Sequence, residues 1–292
     1  MALPTQFNYF RPNTIEETLR LMSKFGAQSK ILVGGTDLTS GVRSGKIVLP
    51  ENIIEIGHVK ELNFIDDAAD IVNVGATTKL SEIISSPIIK SKVPILAEAV
   101  SSMASFQVRN MGTIGGNLCN ASPAADTAPP LLVLDAMIEV MNIKSKRRIP
   151  IDQFFTGPSK TAAGPDEIVT KIQIPKQQPT DRWDFVKLGR RKALTLSIIS
   201  IAALAKIVDN RFQDVKIALG AVAPTPLRAK KAETFLKGRS ASEDVIDEAS
   251  QIVRDEINPI SDVRASKEYR REMAYTITKK MLMNLSSDKG CI

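Results

Sequence analysis

At 292 residues the chain predicts about two domains, by the rule of roughly 150 residues each, with length enough to bury a core. Its 39 Lys and Arg against 32 Asp and Glu give a formal net charge of +7, scattered in small groups at 144–148, 189–192 and 228–231. These groups lack the interleaved aromatics of single-stranded nucleic-acid binding, so they read as a solvated basic surface, some of it available to an acidic partner or an anionic substrate. A single histidine and two distant cysteines, Cys119 and Cys291, argue against a multi-histidine metal site, a disulfide framework and a cysteine-ligated cluster on this chain. No apolar run approaches the 18 or so residues of a membrane span, and "MALPTQFNYF" lacks the layout of a signal peptide, so a cytoplasmic protein is expected.

The first predicted element is a helix in "NTIEETLRLMSKFG", with Ile15, Leu19 and Met22 on one face, a capping box from Thr14 and Glu17, and Gly26 as its stop. A buried strand follows at 31–33, left through the turn of Gly34 and Gly35. Further strands are expected at 53–56, 71–74, 137–143 and 168–174, with a helix near 94–104. Composition shifts in "IPKQQPTDR", residues 174–182, which marks a domain boundary. The second unit opens on Trp183 with the strand "WDFVKL", then the apolar segment "LSIISIAALAKIV". A turn at Asp209 and Asn210, the strand "DVKIALGAV" and helices around 229–237, 243–257 and 266–285 complete an α+β order, with "SSDKGCI" as a frayed tail.

The stretch "GTIGGNLCNASPAAD", residues 112–126, is built almost entirely of small residues. Such a stretch lets a ligand approach main-chain N–H groups directly, as a phosphate oxygen requires. Gly115 and Gly116 form the second glycine pair after Gly34 and Gly35; each pair on its own reads first as an ordinary turn. Neither G-x-G-x-x-G after a strand nor G-x-x-x-x-G-K-[ST] occurs, so any phosphate binding falls to these two pairs. His58, in "IGHVKEL", reads as a structural or surface residue.

Five segments in one order, "LVGGTDL", "VGATTKLSEI", "RNMGTIGGNLCNASPAADTAPPLLVLDA", "EIVTKIQIP" and "DVKIALGAVAPTPLRAKKAE", resemble the FAD-binding medium subunits of molybdenum hydroxylases. The late "NPISDVRASKEYRREM" extends the resemblance to about residue 286. It implies an α+β fold with a vanillyl-alcohol-oxidase-type (PCMH-type) FAD-binding domain over 1–177, in subdomains of about 1–57 and 58–177, and a smaller C-terminal domain over 181–286.

The same resemblance implies noncovalent FAD. The diphosphate would sit on Val33, Gly34, Gly35, Thr36 and Asp37 and on Thr113, Gly115, Gly116 and Asn117; the adenosine would lie against Asp126. Val74 and Val169 would line the flavin, and Lys187 would stand near the isoalloxazine. From the residues alone, Asp126 reads equally as the N-cap of the helix in "TAPPLLVLDA", the valines as strand core and Lys187 as a solvated strand residue. Thr36, Asn117, Ser122 and Thr127 offer further polar partners or simply form turns.

By resemblance, the chain passes electrons from [2Fe–2S] clusters on a small subunit to NAD, a quinone, oxygen or another carrier, while a large subunit binds molybdopterin and hydroxylates substrate. A dimer of heterotrimers is implied, with Lys144 to Arg148 and Arg190 with Arg191 as candidates for orienting a partner. A free-standing flavin oxidase or reductase of the same fold is the alternative; it would require its own substrate site and commonly a histidine for flavin attachment.

Overall fold

The computed structural model describes residues 6–191 and 194–287, so Lys192, Cys291 and the tail from 288 lie outside the described residues. The first unit holds β1 (Asn8–Phe10), α1 (Ile15–Phe25), β2 (Ser29–Leu32), α2 (Thr36–Arg43) and β3 (Asn52–Glu55). Its strands form a parallel sheet in the order β1-β3-β2, with Tyr9 opposite Ile53 and Ile31 opposite Ile54. α1 begins where the Thr14 hydroxyl accepts from the Glu17 N–H at 3.2 Å and ends on Gly26 at φ 48°. The return bond of the box reaches Asn13 N–H, from Glu17 Oε2 at 2.7 Å. Leu19 and Met22 seat the helix on Ile54 and Ile56 in a small core of its own.

The second unit runs through β4 (Ile65–Asp67), β5 (Ile71–Gly75), α3 (Leu80–Ser85), α4 (Pro87–Lys92), α5 (Pro94–Ser101), α6 (Phe106–Met111), α7 (Ile114–Asn120) and α8 (Ala128–Val133). β6 (Met137–Met141), β7 (Lys146–Pro150), α9 (Ile151–Phe154), β8 (Phe155–Gly157), β9 (Lys160–Thr161) and β10 (Ile168–Pro175) follow. Five strands make an antiparallel sheet, β4-β5-β10-β6-β7. Alternation decides its faces: Val72, Val74, Ile138, Val140, Ile172 and Ile174 point to the main core with the helices. On the other face Gln173 donates to Asn73 at 3.2 Å and Asn73 to Asp66 at 3.2 Å.

The third unit is an antiparallel sheet of β11 (Arg182–Gly189), β12 (Ser197–Val208), β13 (Arg211–Gly220) and β14 (Leu227–Arg228), followed by α10 (Lys230–Leu236), α11 (Glu243–Glu256) and α12 (Lys267–Ser286). The apolar segment of the sequence is its central strand. Ala202 and Leu204 of β12 pack into the core of the second unit, whereas Ile199, Ile201, Ala203 and Ala205 pack against the C-terminal helices. A strand buried on both faces loses the polar alternation that would identify it, which is why the segment reads as a run. Trp183 and Phe185 follow the same division and turn the odd-numbered side of β11 toward the second unit, the side that also carries Lys187. Among the described residues no helix is long and apolar enough to cross a membrane, and no cluster of His, Cys, Asp and Glu is placed to hold a metal ion.

Candidate cofactor site

The first glycine pair leaves β2 at the carboxyl end of the parallel sheet, where open sheets commonly receive ligands. Gly35 stands at φ 70° as the N-cap of α2, so Thr36 and Asp37 lie in the first turn of that helix. Gly34 has a different reason to be glycine: a Cβ there would overlap the main-chain carbonyl of Met111. The next residue, Gly112, would carry its Cβ 3.7 Å from Thr36 Oγ1. The two small-residue segments, some 80 positions apart in sequence, therefore meet directly.

The second pair is not the turn that the sequence suggests for it. Gly115 and Gly116 belong to the first turn of α7, with Thr113 as N-cap accepting from the Gly116 N–H at 3.2 Å. Neither has positive φ. Gly115 is buried against Ala76, whose carbonyl accepts its N–H at 3.0 Å and would stand 2.6 Å from an added Cβ. Gly116 is exposed, and only Thr113 Oγ1, at 2.9 Å, would meet a Cβ there. Thr113 is also bridged to Lys79 through the main chain, and Asn117 Oδ1 accepts from Thr127 Oγ1 at 2.6 Å.

Asp126 does not cap α8, whose N-cap is Thr127 with no capping side-chain bond. Its carboxylate is buried and accepts from Lys187 Nζ at 2.8 Å and from Ser197 Oγ at 2.5 Å. Lys187 also donates to the Ser102 carbonyl at 3.1 Å. Two residues expected at opposite ends of a long cofactor are thus one ion pair. It links the second unit to the C-terminal sheet, with only 9% and 7% of the two side chains exposed. Ser197 was not foreseen; its signal is a hydroxyl opening an otherwise apolar run.

Val74 and Val169 are placed in the main core, on β5 and β10, with Val74 fully buried. β5 and β10 lie beside α7: Ala76, two residues after Val74, accepts from the Gly115 N–H and donates its own N–H to the Thr170 carbonyl. Val33 follows β2 and packs with the core of the first unit, its Cγ1 3.4 Å from where a Cβ of Gly57 would stand. His58 keeps the structural reading: its Nδ1 lies 2.9 Å from Glu55 Oε2, which also pairs with Arg11 at 3.2 Å. Of the basic groups, Lys146 pairs with Glu139 at 3.1 Å and Arg147 with Glu167 at 2.7 Å. Arg190 and Arg191 donate to the loop carbonyls of Val263 and Leu194.

Two titratable groups stand on these segments. Asp37 is solvent-reachable, yet the surrounding protein desolvates its carboxyl and raises its pKa. Cys119, in the second turn of α7, is exposed while desolvation pushes its thiol up to about 11, moderated by the charge of Lys30 on β2. The start of α2, the exposed Gly116 and the small side chains beside them suit an anionic, extended ligand such as a dinucleotide.

Residues 5–177 match the family model described as the FAD binding domain in molybdopterin dehydrogenase, and 184–285 match the CO dehydrogenase flavoprotein C-terminal domain. The chain belongs to the family of FAD-binding medium subunits of molybdenum hydroxylases, oxidoreductase flavoproteins of two such domains. Among its relatives, the glyceraldehyde dehydrogenase medium chain of Sulfolobus acidocaldarius is 34% identical, covering 95% of this chain and 97% of the relative. The putative xanthine dehydrogenase FAD-binding subunit of Escherichia coli is 32% identical, with 97% of each covered. A solved carbon monoxide dehydrogenase structure from Hydrogenophaga pseudoflava superposes with a TM-score of 0.92 at 30% identity over 96% of both chains.

Proposed function

We propose that this chain is the electron-transfer subunit of a molybdenum-dependent dehydrogenase, holding FAD noncovalently between its two glycine segments. It would accept electrons from [2Fe–2S] clusters on a small subunit and deliver them to an external carrier. A large subunit would carry molybdopterin and the substrate chemistry, and the three would pair as a dimer of heterotrimers. The observation that supports this reading is the direct meeting of two distant small-residue segments, 33–37 and 112–117, with Asn117 bonded to Thr127 beside Asp126. Bound FAD supplies a group that takes up electrons singly and releases them singly or in pairs.

The residues of the chain do the holding. The N–H groups at the start of α2 would face the diphosphate, and Gly116, whose own N–H is held by Thr113, leaves room for its approach. Lys187 supplies a positive charge already fixed by Asp126 and the Ser102 carbonyl, so it is oriented before the cofactor arrives. The C-terminal domain, taken as 181–286, contributes through this lysine and Ser197, while the FAD-binding domain, taken as 1–177, contributes the rest.

Assembled with its partners and given substrate anaerobically, the chain is expected to show its flavin bleached. The isolated chain should respond only to a chemical reductant. Bleaching of the lone chain by substrate would mean that it carries its own catalytic site. Acid should release the yellow chromophore, and flavin retained on the precipitate would overturn noncovalent binding.

A further inference from the structure

Arg270, near the start of α12, is the most deeply buried cation among the described residues, with 2% of its surface exposed. Burying a guanidinium is unfavourable unless its donors are used, so its partners show what it holds. One terminal nitrogen donates to the carbonyl of Ile198 at the start of β12 and, at 2.9 Å, to that of Ala221 just beyond β13. The other donates to Asp262 Oδ1 at 2.9 Å, a carboxylate itself held by the N–H groups of Arg264 and Ala265 at 2.8 and 3.3 Å. The fork therefore clamps two neighbouring strands of the C-terminal sheet at one end.

Both clamped carbonyls lead to Asp126. Ile198 follows Ser197, whose hydroxyl donates to Asp126 Oδ1 at 2.5 Å. Ala221 donates its N–H at 2.7 Å to the carbonyl of Pro123, three positions before Asp126 in the small-residue segment. Ala221 stands at φ 63°, a left-handed conformation that an alanine keeps only where its surroundings hold it. Here the second unit binds its N–H and Arg270 binds its carbonyl. One guanidinium thus fixes two of the places where the C-terminal sheet grips Asp126 and the turn that carries it.

We propose that Arg270 is a positioning residue for the cofactor site: through Ser197 and Pro123 it sets the orientation of Asp126, and through Asp126 that of Lys187. This rests on the FAD reading above. The plain alternative is an arginine that fastens α12 to the sheet and serves stability alone. The two differ in what the folded chain does, because stability alone changes the fraction folded, whereas positioning changes the affinity of the folded protein for its ligand.

The experiment titrates the flavin-free full chain with FAD by fluorescence, in the cold, where circular dichroism shows each variant folded. Arg270→Lys keeps the charge but replaces the fork by a single nitrogen that cannot span both carbonyls and Asp262; Arg270→Gln removes the charge as well. Met281→Ala empties a buried position further along α12, in the core of the C-terminal domain, and serves as the control for destabilisation alone. Both Arg270 variants are expected to weaken FAD about tenfold, the scale of one charged hydrogen bond. In a Ser197→Ala background the same substitutions should weaken it clearly less, because part of the path is already lost. Met281→Ala should lower the melting temperature and leave the affinity unchanged. Asp262→Asn loosens the anchor of Arg270, should weaken FAD in the same direction, and decides the matter where neither Arg270 variant folds. Wild-type affinity in the deciding variants, losses that simply add to that of Ser197→Ala, or an equal loss in Met281→Ala would overturn the positioning role and leave the FAD site standing. Failure of the wild type to bind FAD would overturn both.

Discussion

The two halves of the cleft are built by different physics. One half is main chain: glycines and helix starts at 34–37 and 112–117, brought together because Gly34 lets the Met111 carbonyl come close. The other is charge: a buried ion pair of Asp126 with Lys187, steadied by Ser197 across a domain boundary. The main-chain half resists salt and leaves no charge unpaired when a ligand departs. The charged half is rigid only while all its members are present, because each buried charge depends on its partner.

That contrast is tested hardest at Lys187. Lys187→Met leaves Asp126 buried with only Ser197 as donor, and stability should fall by about 3–5 kcal/mol in urea unfolding. The double variant Lys187→Met with Asp126→Asn should cost clearly less than the sum of the singles. Additive costs would mean that the pair is not a unit.

Next in size are the glycines that touch main chain. Gly34→Ala meets the Met111 carbonyl and Gly115→Ala the Ala76 carbonyl, atoms that cannot rotate away, so each should cost about 1–3 kcal/mol or more by overpacking. Gly115→Val should therefore unfold the chain rather than merely empty it of flavin. A folded, flavin-free Gly115→Val by circular dichroism would show that α7 can move off Ala76.

These outcomes bear on how much the sequence disclosed. Glycine pairs announce close approach but not to what: of the four glycines, Gly34 and Gly115 are explained by the protein's own carbonyls, and only Gly35 by positive φ. The helix α7 was hidden because glycine and asparagine are poor helix formers; it exists because Thr113 caps it and Ile114 and Leu118 are fully buried. Asp126 and Lys187 both stood out in the sequence, 61 positions apart, but their pairing did not. It depends on β12 being buried on both faces, a fact of packing between domains that no local pattern records. The strand positions of Val74 and Val169 were legible in the sequence, and both strands form as read.

Gly35→Ala isolates backbone conformation from space. At φ 70° the substitution places a Cβ in the left-handed region, with Leu32 Cδ1 at 3.4 Å as its nearest contact, so the loss should be about 1–2 kcal/mol in thermal or urea unfolding of the flavin-free chain. A change near zero would mean that the N-terminus of α2 relaxes without its left-handed cap. The first segment would then be held by Gly34 alone.

The smallest effect on stability should come with a clear effect on binding, at Gly116. It sits in a helix, where alanine is favoured over glycine by up to about 1 kcal/mol, and a Cβ there meets only the Thr113 hydroxyl that caps α7. Gain in propensity and disturbance of the cap should nearly cancel, leaving the melting temperature of the flavin-free Gly116→Ala chain close to wild type. The new methyl nevertheless projects from the one glycine of its pair that solvent reaches, where the diphosphate is proposed to meet the main chain. FAD affinity should fall while the fold holds, the reverse of Gly115→Ala. Unchanged affinity in Gly116→Ala, measured beside an unchanged melt, would show that the second segment joins the cleft walls together without touching the cofactor, and the main-chain half of the site would reduce to 34–37.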